Sequence, residues 1–123
     1  MELQGFRDLI VYKKSYKLAL DIFEMTKVFP KEEKFSLTDQ IRRSSRSIPA
    51  NIAESWAKRI YIKAFVNKIS DALGEEYETE VWLDYSRDSK YINILKHEEI
   101  LKKYDEVRKM LISMINNPEK WCS

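Results

Sequence analysis

Glycine occurs twice in this chain of 123 residues and proline three times, so few of the residues that tight turns require are present. A fold of many short strands is thereby excluded, and long helices joined by few connections is the natural reading. There is one cysteine, Cys122, and one histidine, His97. A single cysteine cannot close an internal disulfide, and the pair cannot furnish a zinc site. No apolar run approaches the ~20 residues of a membrane span, and the segment MELQGFRDL lacks the apolar stretch of a signal peptide. The expectation is therefore a cytoplasmic protein of one domain, 1–123, large enough to bury a core unaided.

What is present is charge, at 34% of residues, beside 44% hydrophobic content, an ordinary globular balance. The net charge of +2 is unevenly spread. Residues 34–68 carry 8 basic and 2 acidic groups, whereas residues 69–88 carry 1 and 7. A basic second quarter is followed by an acidic third.

Apolar periodicity predicts four helices: about 6–29, a second that carries Leu37, Ile41, Ser44 or Ser45, Ile48 and Ile52 on one face and leads to a basic connector around Lys58–Arg59, then about 62–86 and 98–116. Phe29-Pro30 ends the first, because a residue before proline leaves the α region. Ser36 with Asp39 resembles a capping box for the second. Pro49 falls inside that helix and predicts a kink, since the apolar phase runs on from Ile48 to Ile52. The third shows Val66, Ile69, Leu73, Tyr77, Val81 and Tyr85 as its stripe. The fourth has the cleanest pattern, Ile100, Tyr104, Val107, Leu111 and Met114, whose spacing suits a bundle. The first helix carries two stripes about 200° apart, Leu9, Tyr16, Leu20 and Phe23 against Leu18, Ile22, Met25 and Phe29. A lone bundle needs one apolar face. Either an irregular terminus covers the extra one or another subunit does; Leu18, Ile22, Met25 and Phe29 are assigned as the oligomer interface.

No catalytic constellation emerges. Asp71, Glu75 and Glu78 share one helical face and Glu76, Glu80 and Asp84 an adjacent one, which raises a di-iron bundle. That site needs Glu-x-x-His pairs, and no Glu stands three residues before His97. A solvated or salt-bridged acidic face is the plainer reading. Neither a Gly-x-Ser-x-Gly elbow, nor a Cys/His pair, nor a phosphate-cradling glycine loop occurs. The chain is expected to be no enzyme, with no cofactor and no metal. Arg42, Arg43 and Arg46, followed by Lys58, Arg59 and Lys63, form a basic series suited to phosphate contacts. The same series could instead pair with the acidic third helix, within or between subunits.

The segment from Gln40 to Glu54 is the most particular in the chain, above all Ser47-Ile48-Pro49-Ala50-Asn51-Ile52-Ala53-Glu54. It resembles the signature of the bacterial four-helix-bundle family encoded by intervening sequences of large-subunit ribosomal RNA genes. Phe6-Arg7-Asp8-Leu9, Phe29-Pro30 and Glu78-Thr79-Glu80-Val81-Trp82-Leu83 are similar to further motifs of it, so the likeness spans nearly the whole chain. Two departures stand out: Ser55 where the family usually has glycine, and Glu75 rather than serine after Gly74. The resemblance implies an all-α, antiparallel up-down four-helix bundle that assembles as a ring, a homopentamer. It also relates the chain to the accessory protein of diversity-generating retroelements, a branch thought to bind nucleic acid. Asn51 and Glu54 would satisfy the carbonyl freed by Pro49, reach across an interface or touch a ligand.

Two functions follow as expectations. One is an oligomeric bundle that binds RNA or other structured nucleic acid through Arg42, Arg43, Arg46, Lys58 and Arg59. The other is a protein-interaction or assembly module with no nucleic-acid role.

Overall fold

The computed structural model describes residues 4–123. Its elements are α1 (Ile10–Thr26), α2 (Leu37–Ala57), α3 (Ile62–Asp88) and α4 (Ile94–Asn116), with 3-10 turns at Phe6–Asp8, Lys31–Glu33 and Pro118–Lys120. Each helix packs on its two neighbours in a closed square: α1 on α2 and α4, α3 on α2 and α4, with no packing across the diagonals. Short connectors make sequential helices antiparallel, so the arrangement is an all-α, up-down four-helix bundle.

The core is a single cluster. Ile22 from α1, Ile41, Ile48 and Ile52 from α2, Phe65, Ile69 and Leu83 from α3, and Tyr104, Val107 and Leu111 from α4 are fully buried. The 4–3–4–3 stripe of α4 is buried throughout, as its spacing predicts. No described helix is long and apolar enough to cross a membrane.

On α1 the two stripes exchange roles. Leu18, Ile22 and Phe29 are buried in the core of a single chain and Met25 packs against it, so the assignment of these four to an oligomer interface is overturned. Tyr16 and Leu20 of the other stripe are exposed. The reason lies in the flanks. Val11, Ser15, Ala19 and Thr26 extend the Ile22 stripe into a broad neutral arc and are themselves buried. Lysines 13 and 17 and Glu24 border the Tyr16–Leu20 stripe, and charged groups resist burial. The helix is also shorter than its apolar pattern, since Leu9 is extended and Phe29 sits in the loop.

α3 shows the same displacement. Its core face is Phe65, Ile69, Ala72, Glu76, Thr79, Leu83 and Ser86, whereas Tyr77, Val81 and Tyr85 of the predicted stripe lie outward. Polar residues interrupt the buried face, which hides its period. They are tolerated because short hydroxyls hydrogen-bond within their own helix: Thr79 to the Glu75 carbonyl and Ser86 to the Trp82 carbonyl, both at 2.8 Å.

The ends of the helices are fastened by side chains that periodicity does not reveal. Glu33, not a Ser36–Asp39 box, caps α2: one carboxyl oxygen accepts from Leu37 N at 3.3 Å and from Ser36 Oγ at 2.6 Å. Its other oxygen accepts from the Tyr91 hydroxyl at 2.8 Å, and these bonds hold its carboxyl below the usual range. The Tyr91 ring stacks on Phe29 at 5.3 Å, so the α1–α2 and α3–α4 connectors are tied together. α3 closes with Lys90 in the left-handed region, φ 66°, where Lys90 N bonds the Arg87 carbonyl and Tyr91 N the Ser86 carbonyl. That is the double closure usually built on glycine. Asn93 caps α4 by accepting from Lys96 N at 2.7 Å, so α4 begins four residues before the predicted start.

Glu76 is the anomaly of the core. It is 0% exposed, and neither its carboxyl oxygens nor the buried Tyr104 hydroxyl has a hydrogen-bond partner. Burial, reinforced by Glu80 and opposed by Arg108, pushes its pKa from 4.5 up to about 9. Burial, with smaller contributions from Glu76 and Asp21, pushes the Tyr104 hydroxyl upward as well. The carboxyl is therefore neutral in the folded bundle at pH 7, as an unpaired ion there would be far costlier.

Two predictions follow from this core. Ile22→Ala should lower unfolding free energy by about 2–5 kcal/mol, measured by urea titration, because it empties a fully enclosed site. Between pH 4.5 and about 9 the folded state keeps a proton on Glu76 that the unfolded chain releases, so this residue makes stability fall as pH rises. Glu76→Gln should remove that fall, gaining about 4 kcal/mol over wild type between pH 5 and pH 8. Equal changes in both proteins across that range would contradict a buried neutral acid.

Candidate nucleic-acid interface

The run Arg42-Arg43-Ser44-Ser45-Arg46-Ser47 is sorted by the α-helical period. Ser44 and Ser45 point into the bundle and are buried, while Arg43 and Arg46 are exposed and Arg42 is half-buried. Ser44 Oγ lies 2.8 Å from Thr79 Oγ1, a hydroxyl contact between α2 and α3. The arginines thus turn away from α3 because the serines turn toward it.

The three arginines do different things. Arg42 reaches α1, donating from Nε to Thr26 Oγ1 at 2.8 Å and from a terminal nitrogen to the Phe23 carbonyl at 3.4 Å. It thereby serves the carbonyl end of α1, where a cation is favoured by the helix dipole. Its guanidinium centre is also 4.6 Å from the Phe23 ring centroid. Arg46 lies over the same ring at 5.4 Å, beside a shallow depression lined by Tyr16, Ala19, Leu20 and Pro49. Arg43 projects outward, with only Asp39 of its own helix 3.9 Å away.

No ion pair joins these arginines to a carboxylate of α3 among the described residues. The α2–α3 ion pair that does form has the opposite polarity, Lys68 Nζ to Glu54 at 2.6 Å, and it raises the Lys68 pKa. Within one chain, then, the basic helix is not neutralised by the acidic one. Three of the α3 acids go elsewhere: Glu80 to Arg108 at 2.8 Å, Asp84 to the buried His97 at 2.8 Å, and Glu76 inward. Among the described residues no three His, Cys, Asp or Glu side chains are grouped so as to hold a metal ion.

At the far end of α2, Lys58 is exposed and the Arg59 guanidinium lies over the Trp56 ring, 3.7 Å from its centroid. With 1.5 Å of rise per residue, Arg46 and Arg59 are about 20 Å apart along the helix, so the basic series is two clusters and not one patch. Between them the signature segment is mostly structural. Ile48, Pro49 and Ile52 are buried, and Ser47 is half-buried. α2 continues through Pro49 without restarting. Asn51 donates to the Ser47 carbonyl at 2.9 Å, not to the Ser45 carbonyl that Pro49 leaves without its usual donor. Phe23, which holds two arginines, escaped sequence reading because an aromatic at that spacing looks like ordinary core.

The surroundings of this surface are apolar as well as basic. Tyr16 and Leu20 on α1, and Tyr77, Val81 and Tyr85 on α3, leave two helix faces uncovered in a single chain.

Comparison with known proteins places these features in a family. A solved structure from Bacteroides thetaiotaomicron VPI-5482, a protein of unknown function from the S23 ribosomal protein family, is similar with a TM-score of 0.77 and 33% identity. The match covers 87% of this chain and 96% of that one. No curated protein matches the chain significantly. The profile of the 23S rRNA-intervening sequence proteins matches residues 7–113, which takes in the signature segment, α1 to α3 and most of α4. The chain belongs to the 23S rRNA-intervening sequence protein family.

Proposed function

We propose that this protein is a non-enzymatic, self-associating helical bundle that binds structured RNA through the outer surface of α2. The observation that carries this reading is the outward set of cations, Arg43, Arg46, Lys58 and Arg59, unmatched by carboxylates of α3. Such a surface attracts a phosphate backbone without reading sequence. Arg42 has a supporting part in this scheme, since its donors are committed to Thr26 and Phe23. The 23S rRNA setting of the family's name agrees with an RNA ligand but does not define one.

Self-association is supported by the two uncovered apolar faces, Tyr16 with Leu20 and Tyr77 with Val81 and Tyr85. Two different faces on one subunit suit a head-to-tail contact, which closes into a ring when the rotation allows. A homopentameric ring is the assembly we favour. The same faces favour the second reading, an assembly module whose partner is protein, in which the α2 cations meet α3 acids of a neighbouring subunit.

Mobility shifts with a structured RNA at two salt concentrations separate the readings. Binding should weaken steeply as salt rises, and Arg43→Glu with Arg46→Glu should cut affinity at least tenfold and reduce the salt slope by about 2. Unchanged RNA affinity together with a broken oligomer would establish the intersubunit salt-bridge reading instead. Light scattering behind a sizing column should give several times the monomer mass. Leu20→Asp combined with Val81→Asp should return the monomer with its helical content intact; a monomeric wild type would remove the self-association.

A further inference from the structure

The connector between α2 and α3 is a second surface with its own chemistry. Lys58-Arg59-Ile60-Tyr61-Ile62-Lys63 contains three cations, three large apolar side chains and no carboxylate. Tyr61 is 68% exposed and Ile60 69%, and Ile62 beside them is exposed too, so three consecutive large apolar side chains face outward among the three cations. Exposed chains of this size on a connector cost solubility without helping the core, so they call for a contact.

The connector is also held in place. Lys58 N bonds the Ser55 carbonyl at 3.0 Å, and Tyr61 N bonds the Lys58 carbonyl at 2.9 Å. The Tyr61 carbonyl in turn accepts Phe65 N at 2.9 Å, opening α3. Arg59 is fixed twice, by its stack on Trp56 at 3.7 Å and by Nε donating to the Trp56 carbonyl at 2.9 Å. A planar cation laid on an indole, next to a free phenol ring on a rigid turn, presents two flat faces whose ordering cost is already met.

We infer that this connector is a base-stacking site: Tyr61, seconded by the Arg59–Trp56 stack, takes unpaired nucleobases of a bound RNA, while Lys58 and Lys63 hold the adjacent phosphates. Aromatic rings and guanidinium planes are how proteins engage splayed bases in loops and bulges, and the contact tolerates any sequence. The inference rests on the RNA reading of α2 and sharpens it, assigning phosphates to Arg43 and Arg46 and loop bases to a point about 20 Å further along the helix. An anionic membrane would also meet cations and exposed apolar chains. RNA is preferred because Arg59 is held over the Trp56 ring and bonded to the Trp56 carbonyl rather than extended toward a headgroup layer, and because Arg43 and Arg46 on α2 supply a second, separate cationic cluster that a phosphate backbone can reach.

The test compares an RNA hairpin with unpaired loop bases, one of them 2-aminopurine, against a blunt duplex with the same number of phosphates. Wild type should prefer the hairpin, and Tyr61→Ala should weaken hairpin binding about 5- to 100-fold while leaving the duplex unchanged. Tyr61→Phe should retain hairpin affinity, since the ring and not the hydroxyl stacks. The 2-aminopurine fluorescence should be quenched by wild type and Tyr61→Phe but not by Tyr61→Ala. If Tyr61→Ala leaves both affinity and quenching unchanged while Arg43→Glu with Arg46→Glu still abolishes binding, the stacking site is wrong and the RNA reading stands. If wild type binds neither RNA at low salt, both fall. Tyr61-dependent sedimentation with phosphatidylserine vesicles, without any hairpin preference, would make the connector a membrane contact and overturn the inference.

Discussion

The closeness of α2 to α3 is the constraint from which the remaining features descend. Ser44, Ser45 and Ser55 on α2 and Ala72, Thr79 and Ser86 on α3 are small and buried, and helix separation is set by the side chains at the contact. Each buried hydroxyl needs a partner, and back-bonding to the preceding turn supplies one at little spatial cost. The Ser44–Thr79 contact then joins the two helices directly. Because Ser44 and Ser45 are flanked by Arg43 and Arg46, seating the two serines in the bundle turns those two arginines outward. The surface proposed to bind phosphates is thus a by-product of how the core is packed.

How much of this could be read beforehand varied with the chemistry of each helix. The α4 stripe is aliphatic and aromatic, bordered by charge, and its burial matches its spacing. On α1 the pattern contained both faces but ranked them wrongly, since serine, alanine and threonine were not counted toward the core although they belong to its arc. On α3 the buried face includes an acid and three hydroxyl or methyl residues, so the larger chains Tyr77, Val81 and Tyr85 drew the reading outward. Caps were less legible still. Glu33 reaches Leu37 N and Tyr91 at once, a role decided by three-dimensional proximity that no local motif encodes. The basic series was legible as composition. Its division into a helix-supporting Arg42, two outward arginines and a stacked Arg59 was not, because that division depends on Phe23 and Trp56 lying beneath the guanidinium groups.

The segregation of charge along the chain takes on a different meaning in three dimensions. A basic stretch followed by an acidic one suggests neutralisation, yet three acids of α3 are directed to α4 and the core, Glu80 to Arg108, Asp84 to His97 and Glu76 inward. α3 therefore faces three environments at once: a hydroxyl seam toward α2, ion pairs toward α4, and an aromatic outer face.

The closed square of helices also bears on the order in which the bundle forms. Three of its four seams join helices adjacent in sequence across short connectors, and such contacts close quickly because little chain entropy is lost. The fourth, between α1 and α4, unites the two ends of the chain and carries the Lys14–Glu106 ion pair on its rim. Closure of that seam is the one step whose rate is set by long-range search. The tie between Tyr91, Phe29 and Glu33 stands at one end of that seam, where it holds the end of α1 beside the start of α4.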